Sequence, residues 1–350
     1  MDGNGMTRLA SFRNDYSEGA HPRLLQALTQ ASAEQNTGYG LDRHSLRAAE
    51  LIRARCGQPQ AQVHFLAGGT QTNLLAISAF LRPHEAVIAV DTGHVATHET
   101  GAIEATGHKV LVAPHVEGKL TVDAVRGLLA ANTSEHMVKP RLVYVSHTTE
   151  LGTLYTRAEL QALREVCDEC GLLLFLDGAR LGCALAAAGA DLGLAEIAAL
   201  THAFYIGGTK NGALLGEALV VVEPALQADL RYLIKQRGAM LAKGMVVGCQ
   251  FEALFEDALF VELSAHANAM AQRLQSGLKA AGVRMLIDSP TNQIFPVLAH
   301  AHIESLARLT AFERWAPHSD SHAVIRFVTS WATRPEAVEA LIAEVARLVR

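Results

Sequence analysis

Residues 172–176 are apolar without exception and run directly into an acid, Asp177. A strand of this kind has no polar residue on either side, so it is buried on both faces and helices must cover its sheet from above and below. Further strands are predicted at 63–67, 87–90, 110–113, 142–145 and 219–222, with helical spacing of apolar residues at 44–56, 71–81, 99–106 and 157–170. Strands alternating with helices specify an α/β fold on a largely parallel sheet.

Beyond residue 250 the pattern changes. A long helical stretch at 250–281 leads to strands at 284–287 and 293–297, a helix at 302–315, a strand at 323–329 and a closing helix at 335–349. Fewer strands and mostly amphipathic helices suit a second, smaller α+β domain. At 350 residues the chain is long enough for about two domains. The expected division is a polar N-terminal arm at 1–43, a large domain at 44–250 and a small C-terminal domain at 251–350. The polar stretch 133–140, ending in Pro140, is expected to be a linker or insertion.

Half the residues are hydrophobic and 19% are charged, which excludes a disordered chain. A net charge of −5 argues against a dedicated nucleic-acid binder. Residues 1–13 hold no apolar run of the secretory kind. The most apolar stretch, 172–200, is interrupted by Asp177, Arg180, Asp191 and Glu196, short of the ~18 unbroken residues a membrane span requires. The expectation is a soluble, cytoplasmic protein. Of the five cysteines only Cys167 and Cys170 are spaced as CxxC, and no second pair completes a zinc site. They are expected on one face of a helix ending at Gly171, as reduced structural thiols.

Four segments carry chemistry. Gly68-Gly69-Thr70-Gln71-Thr72-Asn73 joins a strand to a helix, where free N–H groups and the helix dipole suit a phosphate; a plain turn capped by threonine fits equally. Asp177 ends the most apolar strand and needs a cation beside it, either Arg180 or a positively charged ligand group. Lys210 lies in Tyr205-Ile-Gly-Gly-Thr-Lys-Asn-Gly212 and is one of only seven lysines. It is either a solvent-facing loop residue or a desolvated amine ready to form a Schiff base. His94 and His98 have the spacing of a zinc-binding helix, but Val95 stands where a zinc protease needs its glutamate. His94 is therefore a capping or core residue, or a flat ring that lies over a ligand.

Together these pieces describe a site for pyridoxal phosphate. In Arg13-Asn14-Asp15, Gly38-Tyr39-Gly40, Gly69-Thr70, His94 with Glu99, Asp177-Gly-Ala-Arg180, Gly208-Thr-Lys-Asn-Gly212 and Ile325-Arg326-Phe-Val-Thr-Ser the chain resembles the threonine aldolase and β-eliminating lyase family. The resemblance covers nearly the whole sequence. It implies the aspartate-aminotransferase type of fold, with a mostly parallel seven-stranded sheet. It further implies that Gly69 and Thr70 hold the phosphate, His94 stacks on the pyridine and Asp177 pairs with its nitrogen. Lys210 would carry the cofactor, and Arg326, with Asn14 and Arg180, would hold the substrate carboxylate. Active sites shared between subunits imply a homodimer or homotetramer.

Two departures bear on the substrate. The family's Glu-Asn-Thr-His segment reads Ser146-His147-Thr148-Thr149, so Thr149 replaces a second active-site histidine. A stretch that reaches the neighbouring subunit reads Arg237-Gly-Ala-Met-Leu241, with Lys243 as a substitute charge. The implied reaction is retro-aldol cleavage of L-β-hydroxy-α-amino acids to glycine and an aldehyde. The β-hydroxyl proton would go to His94 together with His147, or to a phosphate-held water, and the small Thr149 implies tolerance of bulky β-substituents such as that of phenylserine. β-Elimination or racemisation on the same cofactor is the rival reading. A zinc-dependent hydrolase or metal-binding protein built on His94, His98 and the cysteine pair is a more distant one.

Overall fold

The computed structural model describes residues 9–350; the first eight positions of the polar arm lie outside the described residues. Seven strands form the larger sheet: β1 (Gln62–Leu66), β2 (Glu85–Val90), β3 (Val110–Ala113), β4 (Lys139–Ser146), β5 (Leu173–Asp177), β6 (Ala203–Gly207) and β7 (Glu217–Val221). Their order is β1-β7-β6-β5-β4-β2-β3. The run from β3 through β2, β4 and β5 to β6 is parallel, and β7 is antiparallel to both its neighbours.

Period-two alternation sends successive side chains to opposite faces, and both faces are filled. Val143, Val145, Leu174, Leu176 and Phe204 enter one core. Leu142, Tyr144, Leu173, Phe175 and Tyr205 enter the other. Each fully buried side chain of this size contributes roughly 1.5–3 kcal/mol, which is why the all-apolar strand sits at the centre of the sheet.

The helix Arg157–Cys170 shows how local signals set boundaries. Thr156 and Glu159 form a reciprocal capping box at its start, and Gly171 at φ 65° ends it. Cys167 is buried and Cys170 exposed at its last turn.

The smaller sheet comprises β8 (Arg284–Met285), β9 (Gln293–Ile294), β10 (Pro296–Ala299), β11 (Glu313–Pro317) and β12 (His322–Val328). The path is β11-β12-β10-β8, with β9 pairing β12. The helices Leu259–Ala280 and Pro335–Val349 cover it. The arm reaches this layer: Phe12 is buried in the same core, its N–H donates to Ala311 O (2.9 Å) and its carbonyl accepts from Val328 N (2.9 Å).

Several elements differ from the sequence expectation. In place of a helix at 99–106 there is a short turn of helix, His94–Thr97, and a 3-10 turn, Glu104–Thr106. Thr100 and Gly101 between them have positive φ, 54° and 70°, which no α-helix accommodates. The stretch 250–281 is two helices, Met245–Glu256 and Leu259–Ala280, separated at Asp257 with ψ −145°. The helix expected at 302–315 stops at Ala307, and Trp315 belongs to β11, whose hairpin pairs Glu313 with Arg326. The expected linker at 133–140 runs into β4 from Lys139 onward. The sequence expectation did not include strand β6 or the helices Pro22–Ala31 and Val122–Ala131. Among the described residues no helix is long and apolar enough to cross a membrane.

Candidate active site

Parallel strands bring the ends of several βα connections to one edge, the usual ligand edge of such sheets. Here β1 delivers Gly68-Gly69-Thr70, β2 His94, β4 the turn at Thr148 and Glu150, β5 Asp177 and β6 Lys210. Two adjoining cavities of about 330 and 350 Å³ open there, the second bordered by Arg326 of β12 and by Trp315. Tyr16, His94, Glu150, Arg180 and Lys210 line both.

The helix Gly69–Phe80 begins directly behind β1 and points its N-terminus into the inner cavity. A Cβ on Gly69 would meet the Tyr205 hydroxyl at 3.1 Å, so a larger residue would crowd this floor. Glycine is also obligatory deeper in: a Cβ on Gly178 would lie 1.9 Å from the Tyr205 carbonyl.

Asp177 is buried, yet no cation among the described residues pairs with it directly. Its Oδ2 accepts from the Tyr144 hydroxyl (2.5 Å) and from Asn73 Nδ2 (2.9 Å), and its Oδ1 accepts from Ala179 N (2.9 Å). Burial pushes its pKa up, but the field of His94 and bonds from Tyr144, Tyr205 and Ala179 outweigh burial and hold the carboxyl below its ordinary range. Arg180, the pairing partner weighed from sequence, is taken by another acid. It donates to Asp15 through Nε (2.7 Å) and Nη2 (3.0 Å), and both side chains are at least nine-tenths buried.

His94 Nδ1 binds Glu99 Oε1 at 2.8 Å, and Asn73 Nδ2 holds the same oxygen (2.8 Å). Burial opposes charge on His94, but the bond to Glu99 and the fields of Glu150 and Asp177 prevail and raise its pKa. Lys210 is half-buried, faces both cavities and makes no ion pair among the described residues. Burial, aided by Arg180, lowers its pKa against the opposing fields of Asp15, Glu150 and Asp177. Its turn is rigid: Gly208 N and Thr209 N both donate to Gly216 O, and Asn211 Nδ2 is fixed to Phe260 O (2.8 Å). Glu217, which sequence reading passed over, is buried beside this turn and accepts from Gly208 N (3.0 Å). Burial raises its pKa to about 8. A glutamate in an apolar strand register was the only available signal.

Arg326 lies over the Trp315 ring at 4.8 Å and donates to Gln293 Oε1 (3.1 Å), while its Nε is buried without a partner. Not every expected residue reaches the cavities. His147 is buried against Tyr155, its Nδ1 accepts from Tyr155 N (3.4 Å), and burial lowers its pKa to about 4. Thr149 turns the other way, to Thr153 Oγ1 at 2.7 Å and against Gly118. An imidazole or hydroxyl at these two positions therefore cannot touch a ligand in either cavity. Asn14 spends its Oδ1 on Tyr16 N (3.0 Å) and Ser17 Oγ (2.9 Å), and Lys243 is exposed outside both cavities. Asp15, quoted in a motif without a role, and Glu150 join Glu217 among the residues that sequence reasoning missed.

His94 and His98 stand with ring centroids 5.6 Å apart, but His98 is exposed and the cysteine pair lies on the helix Arg157–Cys170. Among the described residues no three His, Cys, Asp or Glu side chains are grouped to hold a metal.

The family model for beta-eliminating lyases matches residues 12–301. A low specificity L-threonine aldolase of Pseudomonas sp. (strain NCIMB 10558) is 32% identical, the alignment spanning 95% of this chain and 96% of that protein. Another from Pseudomonas aeruginosa is 33% identical over 97% of each. The structure of Leishmania major threonine aldolase superposes with a TM-score of 0.96 at 50% identity, covering 97% of this chain and all of that one. Thermus thermophilus aspartate aminotransferase, at 18% identity and a TM-score of 0.74 over 98% and 92% of the two chains, shares the fold. These likenesses run through both sheets and the edge where Asp177 and Lys210 meet, and the chain belongs to the β-eliminating lyase family.

Proposed function

We propose that the chain is a pyridoxal-phosphate-dependent aldehyde-lyase of the low-specificity L-threonine aldolase kind, cleaving L-β-hydroxy-α-amino acids to glycine and an aldehyde. The observation that carries this reading is that one cavity holds a buried acid, Asp177, and an amine, Lys210, neither of which has an ion-pair partner among the described residues. A pyridine nitrogen that must stay protonated fits the first, and an aldehyde that must be captured fits the second. The phosphate fits the open N–H groups at the start of the helix Gly69–Phe80, where a Cβ on Gly69 would crowd the Tyr205 hydroxyl at 3.1 Å.

On this reading Gly69 and Thr70 hold the phosphate, His94 lies against the ring, Asp177 holds the ring proton and Lys210 binds the aldehyde. When bound, pyridoxal phosphate supplies an electron sink for the bond that breaks at Cα. Asp177 keeps its negative charge because Tyr144, Asn73 and Ala179 satisfy it. Lys210 loses its proton readily because burial and Arg180 disfavour the ammonium. Arg326, with its unsatisfied Nε, binds the substrate carboxylate, and the cavity side of Arg180 adds positive field. Fixing the carboxylate orients the Cα–Cβ bond for cleavage. The assembly on this reading is a homodimer or homotetramer, with Lys243 offered to a neighbouring subunit.

The test is to supply threonine and phenylserine to the purified protein and quantify the products. Glycine and acetaldehyde or benzaldehyde are expected in equal amounts, with the visible absorption of the protein–cofactor linkage lost in Lys210→Ala while the fold is retained. Ammonia with a 2-oxo acid, or the opposite enantiomer of the substrate, would instead establish the β-eliminating or racemising alternative. A reduced pyridoxyl group mapped to Lys235 or Lys243 would remove Lys210 from its role.

A further inference from the structure

Retro-aldol cleavage requires a base for the β-hydroxyl, for which the sequence offered His94 together with His147, or a phosphate-held water. Of these, His147 faces away from both cavities. His94 is held at Nδ1 by the buried Glu99, a bond that favours the protonated ring, the poorer acceptor. We propose, resting on the aldolase reading above, that Glu150 is the catalytic base: its carboxylate accepts the β-hydroxyl proton as the Cα–Cβ bond breaks.

The placement is specific. Glu150 is the one carboxylate among the described residues that lines both cavities, and it is buried with 8% of its surface left. No hydrogen bond or ion pair among the described residues engages it, although its charge is felt by His94, Arg180, Lys210 and Arg326. The other acids are committed. Asp177 is saturated by Tyr144, Asn73 and Ala179, Glu217 accepts from Gly208 N at the inner end, and Glu313 pairs with Arg13 (3.5 Å) at the outer rim.

The backbone that presents Glu150 is tied on both sides. Thr149 N donates to Thr153 O (3.0 Å), Gly152 N donates to Thr149 O (2.9 Å), and Gly152 at φ 71° closes the turn. Thr149 and Thr153 anchor that turn through their own hydroxyls, and Thr153 Oγ1 donates to Glu117 O (2.7 Å). The threonine that stands where a histidine was expected thus acts as a brace, and the next side chain along lines both cavities.

In the step, the β-O–H bond breaks and its proton passes to the Glu150 carboxylate. The O–H electron pair becomes the aldehyde C=O π bond, and the Cα–Cβ pair remains with Cα, where the cofactor would supply an electron sink when bound. A proton added at Cα completes glycine, so one proton leaves oxygen, one arrives at carbon, and nothing is oxidised or reduced.

Glu150→Gln keeps the shape and removes the base. The expected result is a loss of about 10²–10⁴-fold in kcat for threonine and phenylserine cleavage, with unchanged visible spectrum, glycine affinity within about threefold, and exchange of glycine's α-hydrogen in heavy water retained. Glycine has no β-hydroxyl, so its exchange needs Lys210 and the cofactor but not this base. Cleavage within tenfold of wild type, or glycine exchange lost in parallel with cleavage, overturns the assignment. If Glu150→Gln does not fold, Glu150→Asp, which withdraws the carboxylate by one methylene, is read by the same comparison. Wild-type protein that releases no aldehyde from any β-hydroxy amino acid fails the parent reading, and the base with it; a cleaving wild type and an undiminished Glu150→Gln fail the base alone.

Discussion

Asp15→Asn tests how the arm is held. The carboxylate of Asp15 accepts both Arg180 donors, at 2.7 and 3.0 Å, and Asn292 Nδ2 at 2.9 Å. One side chain thus joins the arm, the large sheet and the small domain. Its side chain is fully buried and that of Arg180 is 8% exposed, so solvent screens the pair little. Removing one partner of a buried pair costs about 3–5 kcal/mol, because a charge is left without its counter-ion. Arg180 still borders a polar cavity with Glu150 in range, which places the expected loss near the lower end, about 3 kcal/mol. Urea unfolding followed by tryptophan fluorescence reads it. With a slope of about 3 kcal/mol per molar or somewhat more for a chain of this size, the midpoint of the arm-linked transition falls by just under 1 M. The partner change Arg180→Met in the same protein should restore much of that loss, since a neutral pair then replaces the ion pair and no buried charge is left without its counter-ion. The pH dependence has a definite sign. Burial opposes ionisation of Asp15, but Arg180 and Lys210 prevail and depress its folded pKa. Its contribution is therefore complete above the unfolded carboxyl's pKa of about 3.9 and is lost as pH falls through the lower folded value. A midpoint shift below about 0.3 M, or a double variant as unstable as the sum of the two single ones, would refute the reasoning.

Two further outcomes are expected. Burial raises the folded pKa of Glu217 to about 8, so the protonated acid favours the folded state; that stabilisation is full below the unfolded carboxyl's pKa and is lost as pH rises through about 8. Glu217→Gln should flatten the decline in thermal midpoint expected of wild type between about pH 5 and 8, and an unchanged slope would contradict it. Light scattering should give at least twice the 37.5 kDa chain mass, because Tyr39, Leu41, Leu46 and Tyr232 are large apolar side chains left 45–78% exposed; a fully active monomer would count against shared sites.

The sequence by itself determined the architecture of the large domain. Two-sided burial needs uniformly apolar strands, and those strands can be read residue by residue, as at 172–176. Asp177 and Lys210 stood out because a charge in an apolar or glycine-rich setting demands a partner. What the nearby glycines serve was decided by the structure: a Cβ on Gly69, Gly178 or Gly208 would meet Tyr205, its carbonyl or Phe251. What only the tertiary structure decided was which side chains turn inward after a strand ends. From His147 to Glu150 the chain leaves β4 and alternation stops, so no periodicity tells Thr149 from Glu150; the bonds to Thr153 and Glu117 do. Asp15 and Arg180 are 165 positions apart, and Trp315 left its expected helix because a strand, β12, offered a hairpin partner. Contacts between residues distant in sequence depend on how sheets and helices pack, and no local propensity records them.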